Sequence, residues 1–191
     1  MERNSKLELS RQDWLIAGLD ALFAGGPEAV KVERIAAALG VTKGSFYWHF
    51  KNHRALCEAM VHHWRGVQFG YLSRFRDQAV RPADRLKQLF KHISSKDARH
   101  DIAMRAWART DRAAAAAVAE LDRARIEAVA SLFEELGFAP DEARFRAHAV
   151  YYFQIGEQVA FSTSRAADRA RYFARLGELL GAPASGDASD D

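Results

Sequence analysis

Residues 32–54, VERIAAALGVTKGSFYWHFKNHR, carry the pattern of a helix-turn-helix and decide the fold of the N-terminal part of the chain. Apolar residues recur at three- and four-residue spacing over residues 32–39, which predicts a short amphipathic helix. Gly40 suits the left-handed backbone conformation that ends a helix, and Val41 is the apolar residue between the two helices. Thr42 is a good N-cap whose hydroxyl can accept from a free amide of the next helix. The segment therefore predicts a helix, a tight turn and a second helix.

The second predicted helix, from Lys43 to about Trp48, carries groups that suit contact with DNA. Phe46 and Phe50 lie four residues apart and are expected to serve the core of this small domain. Tyr47 and Trp48, which lie between them, are expected to contact a partner, because exposing their rings to water is unfavourable. No acidic residue occurs between residues 42 and 55, and basic side chains at a helix start favour phosphate contacts. The sequence alone therefore predicts a DNA-binding domain.

Residues 40–56, GVTKGSFYWHFKNHRAL, resemble the recognition region of the TetR family of bacterial transcriptional regulators. Residues 10–40 fit the first helix, the glycine-rich turn and the second helix of that family. The resemblance covers the first quarter to third of the chain and rests on a specific motif, the aromatic-histidine-aromatic run. It implies an all-helical homodimer with an N-terminal three-helix head and a variable, ligand-binding C-terminal domain.

The resemblance also implies which residues contact DNA. Backbone phosphates are expected to be held mostly by Thr42, Ser45, Tyr47, His49 and Lys51, with Trp48 beside them. Lys43, Gly44 and Ser45 are expected nearest the base edges, with Lys43 as the candidate for guanine O6 or N7. His53 departs from the family, which usually has lysine there, so one phosphate contact is expected to be weaker or dependent on pH.

Composition limits the remaining possibilities. The chain has 191 residues, 28 basic and 25 acidic, and its net charge of +3 is too small to argue for nucleic-acid binding by itself. No apolar run is long enough to span a membrane, and the N-terminus lacks the apolar core of a signal peptide. The single cysteine, Cys57, excludes an intramolecular disulfide and fits a reducing compartment. We expect a cytoplasmic protein with no membrane association.

The rest of the chain also has helical periodicity, which predicts an all-α protein. A long helix from about Asn52 to Arg76 has a length of about 35 Å and can connect the head with a distant core. Three domains are predicted: residues 1–54 as the helix-turn-helix domain, 55–183 as a helical ligand-binding and dimerisation domain, and 184–191 as a disordered acidic tail.

Aromatic and polar residues of the C-terminal part form two predicted sites. A pocket for a small apolar or aromatic ligand needs rings and a few polar groups, although such rings are more often plain core. The candidate pocket residues are Trp64, Arg105, Trp107, Tyr151, Gln154 and Gln158. The last two long helices are expected to pair with those of a second subunit as a four-helix bundle. The candidate interface residues are Phe145, Ala149, Tyr152, Gly156, Tyr172, Phe173 and Leu176.

Catalytic and metal-binding patterns are weak. Seven histidines occur, but none forms a conventional zinc motif, so no metal site is predicted. Nucleophile and phosphate-loop motifs are absent, so we expect neither an enzyme nor a cofactor. The leading hypothesis is a repressor that binds a palindromic operator as a homodimer and is released by a ligand. The alternatives are a DNA-binding regulator controlled by a protein partner, and a helical enzyme or adaptor with a vestigial head.

Overall fold

The computed structural model describes residues 9–76, 79–95, 97–160 and 166–181. Over these ranges the chain forms nine α-helices, one 3-10 turn at Pro27–Ala29 and no β-strand, which confirms the predicted all-α class. None of these helices combines the length and apolarity needed to cross a membrane. The helices are α1 (Arg11–Gly25), α2 (Val32–Ala38), α3 (Lys43–Phe46), α4 (His53–Arg76), α5 (Pro82–Ser95), α6 (Arg99–Ala108), α7 (Arg112–Glu135), α8 (Pro140–Val159) and α9 (Ala166–Gly181).

Local sequence signals set several helix ends. At the start of α1 the Ser10 hydroxyl accepts from the Asp13 amide at 3.2 Å, and the Asp13 carboxylate accepts from the Ser10 amide at 2.7 Å. This reciprocal capping box satisfies amides that have no partner within the helix, and it lowers the pKa of Asp13 below its usual value. Pro82 is the first residue of α5, where its missing amide costs nothing. Gly137, with φ 95°, follows the end of α7.

The chain divides into two compact units. The first contains the described residues up to Gln68 together with Arg99–Ala119. The second contains the described residues of the ranges 69–98 and 120–191. The domain boundary expected between residues 54 and 55 stays a prediction, and the predicted tail, residues 184–191, lies outside the described residues.

The first unit is built on α1, α2, α3 and the start of α4. Its fully buried side chains include Trp14, Ile35, Phe46 and Leu56, one from each of these helices. Helix α6 also packs on α1, where the rings of Phe23 and His100 stack with their centroids 3.9 Å apart. Helix α3 therefore packs against an apolar core through Phe46.

The second unit has a core made by α5, α7, α8 and α9. Buried side chains from each helix meet in one cluster, represented by Phe90, Phe133, Val150 and Phe173. Helices α5 and α9 run antiparallel and approach closely, because a Cβ atom at Gly177 would lie only 2.8 Å from the Phe90 ring. A larger residue at position 177 would require the Phe90 ring to move.

Arginine side chains connect helix ends in the second unit. The guanidinium of Arg169 on α9 donates to the Ser94 carbonyl near the end of α5 at 2.8 Å. Arg146 on α8 is 7% exposed and donates to the Leu180 carbonyl near the end of α9. Carbonyls in the last turn of a helix have no partner within the helix, so these two arginines supply the missing donors.

Candidate nucleic-acid interface

The turn between α2 and α3 sets the position of α3. Gly40 has φ 68°, and the next amide, of Val41, donates to the Ala36 carbonyl at 3.0 Å. An L residue is strained at that φ, so glycine is the residue that suits the turn. Thr42 precedes α3 with extended backbone, but its side chain makes no capping hydrogen bond. The predicted hydroxyl cap is therefore wrong, while the position of Thr42 at the helix start is confirmed.

Aromatic packing fixes α3 on the first unit. Phe46 is fully buried, with its ring centroid 5.3 Å from that of Trp14 and 5.6 Å from that of Phe50. Its edge-to-face arrangement with Trp14 is a favourable geometry for aromatic rings. Phe46 and Phe50 thus form part of the core, as their four-residue spacing predicts.

The remaining side chains of the segment lie on its surface. Trp48 is 88% exposed and Tyr47 is 57% exposed, although the Tyr47 ring touches the edge of Phe46. Large exposed rings are unfavourable in water, and their presence next to a short helix indicates a surface that a partner covers. The other predicted DNA contacts share this surface: Thr42, Lys43, Gly44 and Lys51 are exposed, and Ser45 and His49 are half-buried.

Lys43 makes an ion pair that the sequence pattern did not predict. Its ammonium contacts the carboxylate of Glu33, which lies ten residues earlier on α2. The hydrogen bond between the two groups lowers the pKa of Glu33 and raises the pKa of Lys43. Glu33 thus lies at the candidate interface although the residue is acidic.

The start of α4 is tied to the rest of the first unit by Asn52 and His53. The Asn52 side chain accepts from the Ala55 amide at 2.9 Å and caps the helix. His53 Nε2 donates to the Val30 carbonyl at 2.7 Å. His53 is therefore used inside the unit, in a position where we expected an altered phosphate contact. Among the described residues no group of three or more His, Cys, Asp or Glu side chains could hold a metal ion.

Cys57 lies one turn into α4. Its Sγ atom is 3.7 Å from Nδ1 of His53. Burial, followed by the negative charge of Asp111, raises the pKa of the thiol to about 11. The neutral thiol is therefore strongly favoured at ordinary pH, and the neutral form is not the nucleophile.

The predicted ligand-binding residues fall into both units. Trp64, Arg105 and Trp107 belong to the first, and Tyr151 and the two glutamines belong to the second. Trp64, Trp107, Tyr151 and Gln154 are buried, whereas Arg105 and Gln158 are half-buried. Their joint role in one pocket stays a prediction.

A groove in the second unit is an alternative place for a ligand. It has a volume of about 720 Å³ and runs between α5 and α9. None of the six predicted pocket residues lines it. Its surface is largely apolar, with Leu86 and Phe90 on α5 facing small residues on α9, and Lys87 and Lys91 among its lining residues. Sequence reasoning missed this groove, which depends on the close approach of two helices separated by about 70 residues in the chain.

The predicted interface residues separate into exposed and buried positions. Phe145 and Tyr152 on α8 are 65% and 64% exposed, and Tyr172 on α9 is also exposed. Ala149 is half-buried and Gly156 is exposed. Phe173, in contrast, is 1% exposed and packs edge-on against Phe153 in the core, so its prediction as a surface contact is wrong. Leu176 packs against the same core while remaining partly exposed.

Two exposed apolar residues extend this surface beyond the predicted set. Val159 lies seven residues after Tyr152 on α8, and Leu179 lies seven residues after Tyr172 on α9. A seven-residue apolar repeat keeps side chains on one helix face and is typical of helix pairing. The two stripes, Phe145–Tyr152–Val159 on α8 and Tyr172–Leu179 on α9, are called the apolar stripes below.

Comparison with known proteins agrees with this architecture. Residues 15–60 match the family model described as bacterial regulatory proteins of the tetR family. The class C tetracycline repressor of Escherichia coli is 26% identical over 159 residues, which cover 83% of this chain and 69% of that protein. The transcriptional repressor KstR2 of Mycolicibacterium smegmatis is 33% identical over 82 residues, covering 42% of this chain and 40% of that protein.

Solved structures show the same fold over nearly the whole chain. Reduced NemR of E. coli aligns with a TM-score of 0.71 at 16% identity, covering 91% of this chain and 99% of that one. A transcriptional regulator of Rhodococcus aligns with a TM-score of 0.69 at 19% identity, covering 91% and 94%. At these identities the likeness is one of fold.

Proposed function

We propose that this chain, whose residues 15–60 match the family model of bacterial regulatory proteins of the tetR family, is a transcriptional repressor of that family. It binds a palindromic operator as a homodimer and is released by a small apolar or aromatic ligand. The observation that carries the DNA-binding part is the exposed surface of α3 and of the turn that follows it. Trp48 in this turn is 88% exposed, whereas Phe46, the last residue of α3, is fully buried. Burial of Phe46 in the core leaves the Trp48 ring on the surface.

In the proposed complex α3 enters the major groove. Lys43 and Ser45 lie at the start of the helix, where side chains of a reading helix reach base edges. Tyr47, His49 and Lys51 follow the end of α3, and their side chains contact phosphates. Phosphate contacts release counterions, so the affinity is expected to fall steeply with increasing salt concentration.

The experiment that tests DNA binding is footprinting of the purified protein on the DNA upstream of its own gene, at two salt concentrations. The wild type should protect a palindrome, and the double variant Tyr47→Ala, Lys51→Ala should lose protection. Arg144→Ala, which removes an exposed positive charge on α8, is the matched control and should bind normally. Equal protection by the double variant and the wild type would contradict the assigned surface.

Dimerisation is supported by the apolar stripes on α8 and α9. A two-fold pairing of these helices with those of a second copy would bury five large apolar side chains on each side. The symmetry would present two reading helices to half-sites about 34–36 Å apart, one turn of DNA.

Release by a ligand is supported by the groove between α5 and α9, which is large enough for a small organic molecule. A ligand can change DNA affinity only as far as it prefers one conformation of the protein over another. We propose that α4 transmits this preference, because its residues belong to both units.

A thermal-shift screen of apolar and aromatic compounds, followed by operator release, tests the ligand. Ala174→Leu, at an exposed position lining the groove, should abolish the response, whereas Ala167→Leu, exposed outside the groove, should not. A full response in Ala174→Leu would place the ligand elsewhere.

A further inference from the structure

The ion pair between Glu33 and Lys43 joins the two helices of the helix-turn-helix on its exposed side. Both side chains remain accessible, with 64% of the Glu33 and 51% of the Lys43 side chain exposed. The pair therefore presents a donor and an acceptor side by side on the surface assigned to DNA.

An acidic residue on such a surface needs a compensating interaction. Duplex DNA carries a dense array of negative phosphates, and a carboxylate brought near them is repelled. Lys43 neutralises the charge of Glu33 in the free protein, so the ion pair has no net charge when the protein binds DNA. A carboxylate in the major groove gains a hydrogen bond from only a few groups, chief among them the amino group of cytosine.

We propose that Glu33 and Lys43 read one G·C base pair together in each half-site. Lys43 Nζ donates to guanine O6 and N7, and the Glu33 carboxylate accepts from the N4 amino group of the paired cytosine. This inference rests on the proposed function, and it adds Glu33, a residue of α2, to the determinants of sequence specificity. An A·T pair fits less well, since it offers the ammonium no adjacent pair of acceptors on one base.

Selection from a random-sequence duplex library with the full-length protein tests the proposal without a known operator. The wild type should enrich a palindrome with one G·C position in each half-site, preferred about tenfold over the other base pairs. Glu33→Gln and Lys43→Gln should each lose the preference at that same position and keep it elsewhere. Glu28→Gln is the matched control, because it removes the same charge from an exposed site of the same head.

The exchanged variant Glu33→Lys, Lys43→Glu separates base reading from a structural role. This variant keeps the net charge and the ion pair but places the donor at position 33 and the acceptor at position 43. The preferred base pair should therefore change from G·C to C·G. Thermal melting of each variant verifies that the head is folded.

Three outcomes would overturn the inference. If the wild type and Glu33→Gln enrich identical palindromes, Glu33 does not contribute to sequence specificity. An equal gain of affinity for all sequences in Glu33→Gln would mean that Glu33 acts only by repelling DNA. An unchanged preference in the exchanged variant would assign the pair a structural role. If the wild type enriches no palindrome, the proposed function itself fails, and this inference fails with it.

Discussion

Cys57 should react with a disulfide reagent at least about tenfold more slowly in the folded protein than in the unfolded chain. Burial and the nearby charge of Asp111 raise the pKa of its thiol from 9.0 to about 11. Only the thiolate attacks a disulfide, so at pH 7 the reactive fraction falls about a hundredfold when the pKa rises by two pH units. The thiolate of a thiol with a higher pKa is also a better nucleophile, which raises the reaction rate again by roughly six- to tenfold. The net reduction in rate is therefore about tenfold.

The assay is the rate of reaction with an aromatic disulfide followed by absorbance. Cys57 is the only cysteine, so the signal has one source. The same protein in concentrated guanidinium chloride is the internal control. Between pH 8 and pH 10 the folded protein should continue to gain rate with each pH unit, whereas the unfolded chain should level off near pH 9.

A fast reaction at pH 7, equal to that of the unfolded chain, would refute this reasoning. It would mean that the contact of Sγ with the His53 ring, 3.7 Å from Nδ1, stabilises the thiolate. The raised pKa also has a consequence for stability. The free energy of unfolding is unaffected by this shift below pH 9 and decreases as the pH rises from 9 toward 11, because the half-buried thiol resists ionisation only in the folded protein. Cys57→Ala should therefore weaken this alkaline loss of stability.

Three further predictions concern stability and assembly. Gly40→Ala should cost about 1 kcal/mol in the free energy of unfolding, because φ 68° strains a residue with a Cβ atom although the space is open; an unchanged melting temperature would contradict this. Arg146→Ala should cost about 2 kcal/mol in urea titrations, because the Leu180 carbonyl loses a charged donor, whereas exposed Arg144→Ala should cost less than about 0.5 kcal/mol. Tyr152→Glu should give monomers in analytical ultracentrifugation, and a stable dimer would remove the apolar stripes from the proposed interface.

The sequence predicts the head well because its signals are local. Gly40 adopts positive φ, the long helix α4 begins directly after Asn52, and Phe46 and Phe50 are buried. Each of these outcomes depends on residues within a few positions of one another. The failure of Thr42 to cap α3 shows the limit, since a suitable hydroxyl does not fix the rotamer that the bond needs.

The sequence predicts the C-terminal sites less well because they depend on tertiary packing. Tyr172 and Phe173 are adjacent, so about 100° of helix rotation decides which ring faces the core. Both rings fit an amphipathic pattern, and the structure buries Phe173 and exposes Tyr172. The partner of Lys43 could not be read from spacing either, because Glu33 reaches it across the turn between two helices.

Arg169 and Arg146, which bind carbonyls at the ends of α5 and α9, affect how the second unit unfolds locally. A helix whose last carbonyls are left to water can fray one residue at a time. In α5 and α9 the carbonyls of Ser94 and Leu180 are held by side chains of neighbouring helices, so fraying of either end must also release an arginine. Amide hydrogens in the last turns of both helices should therefore exchange together with the core of the unit, as one cooperative block.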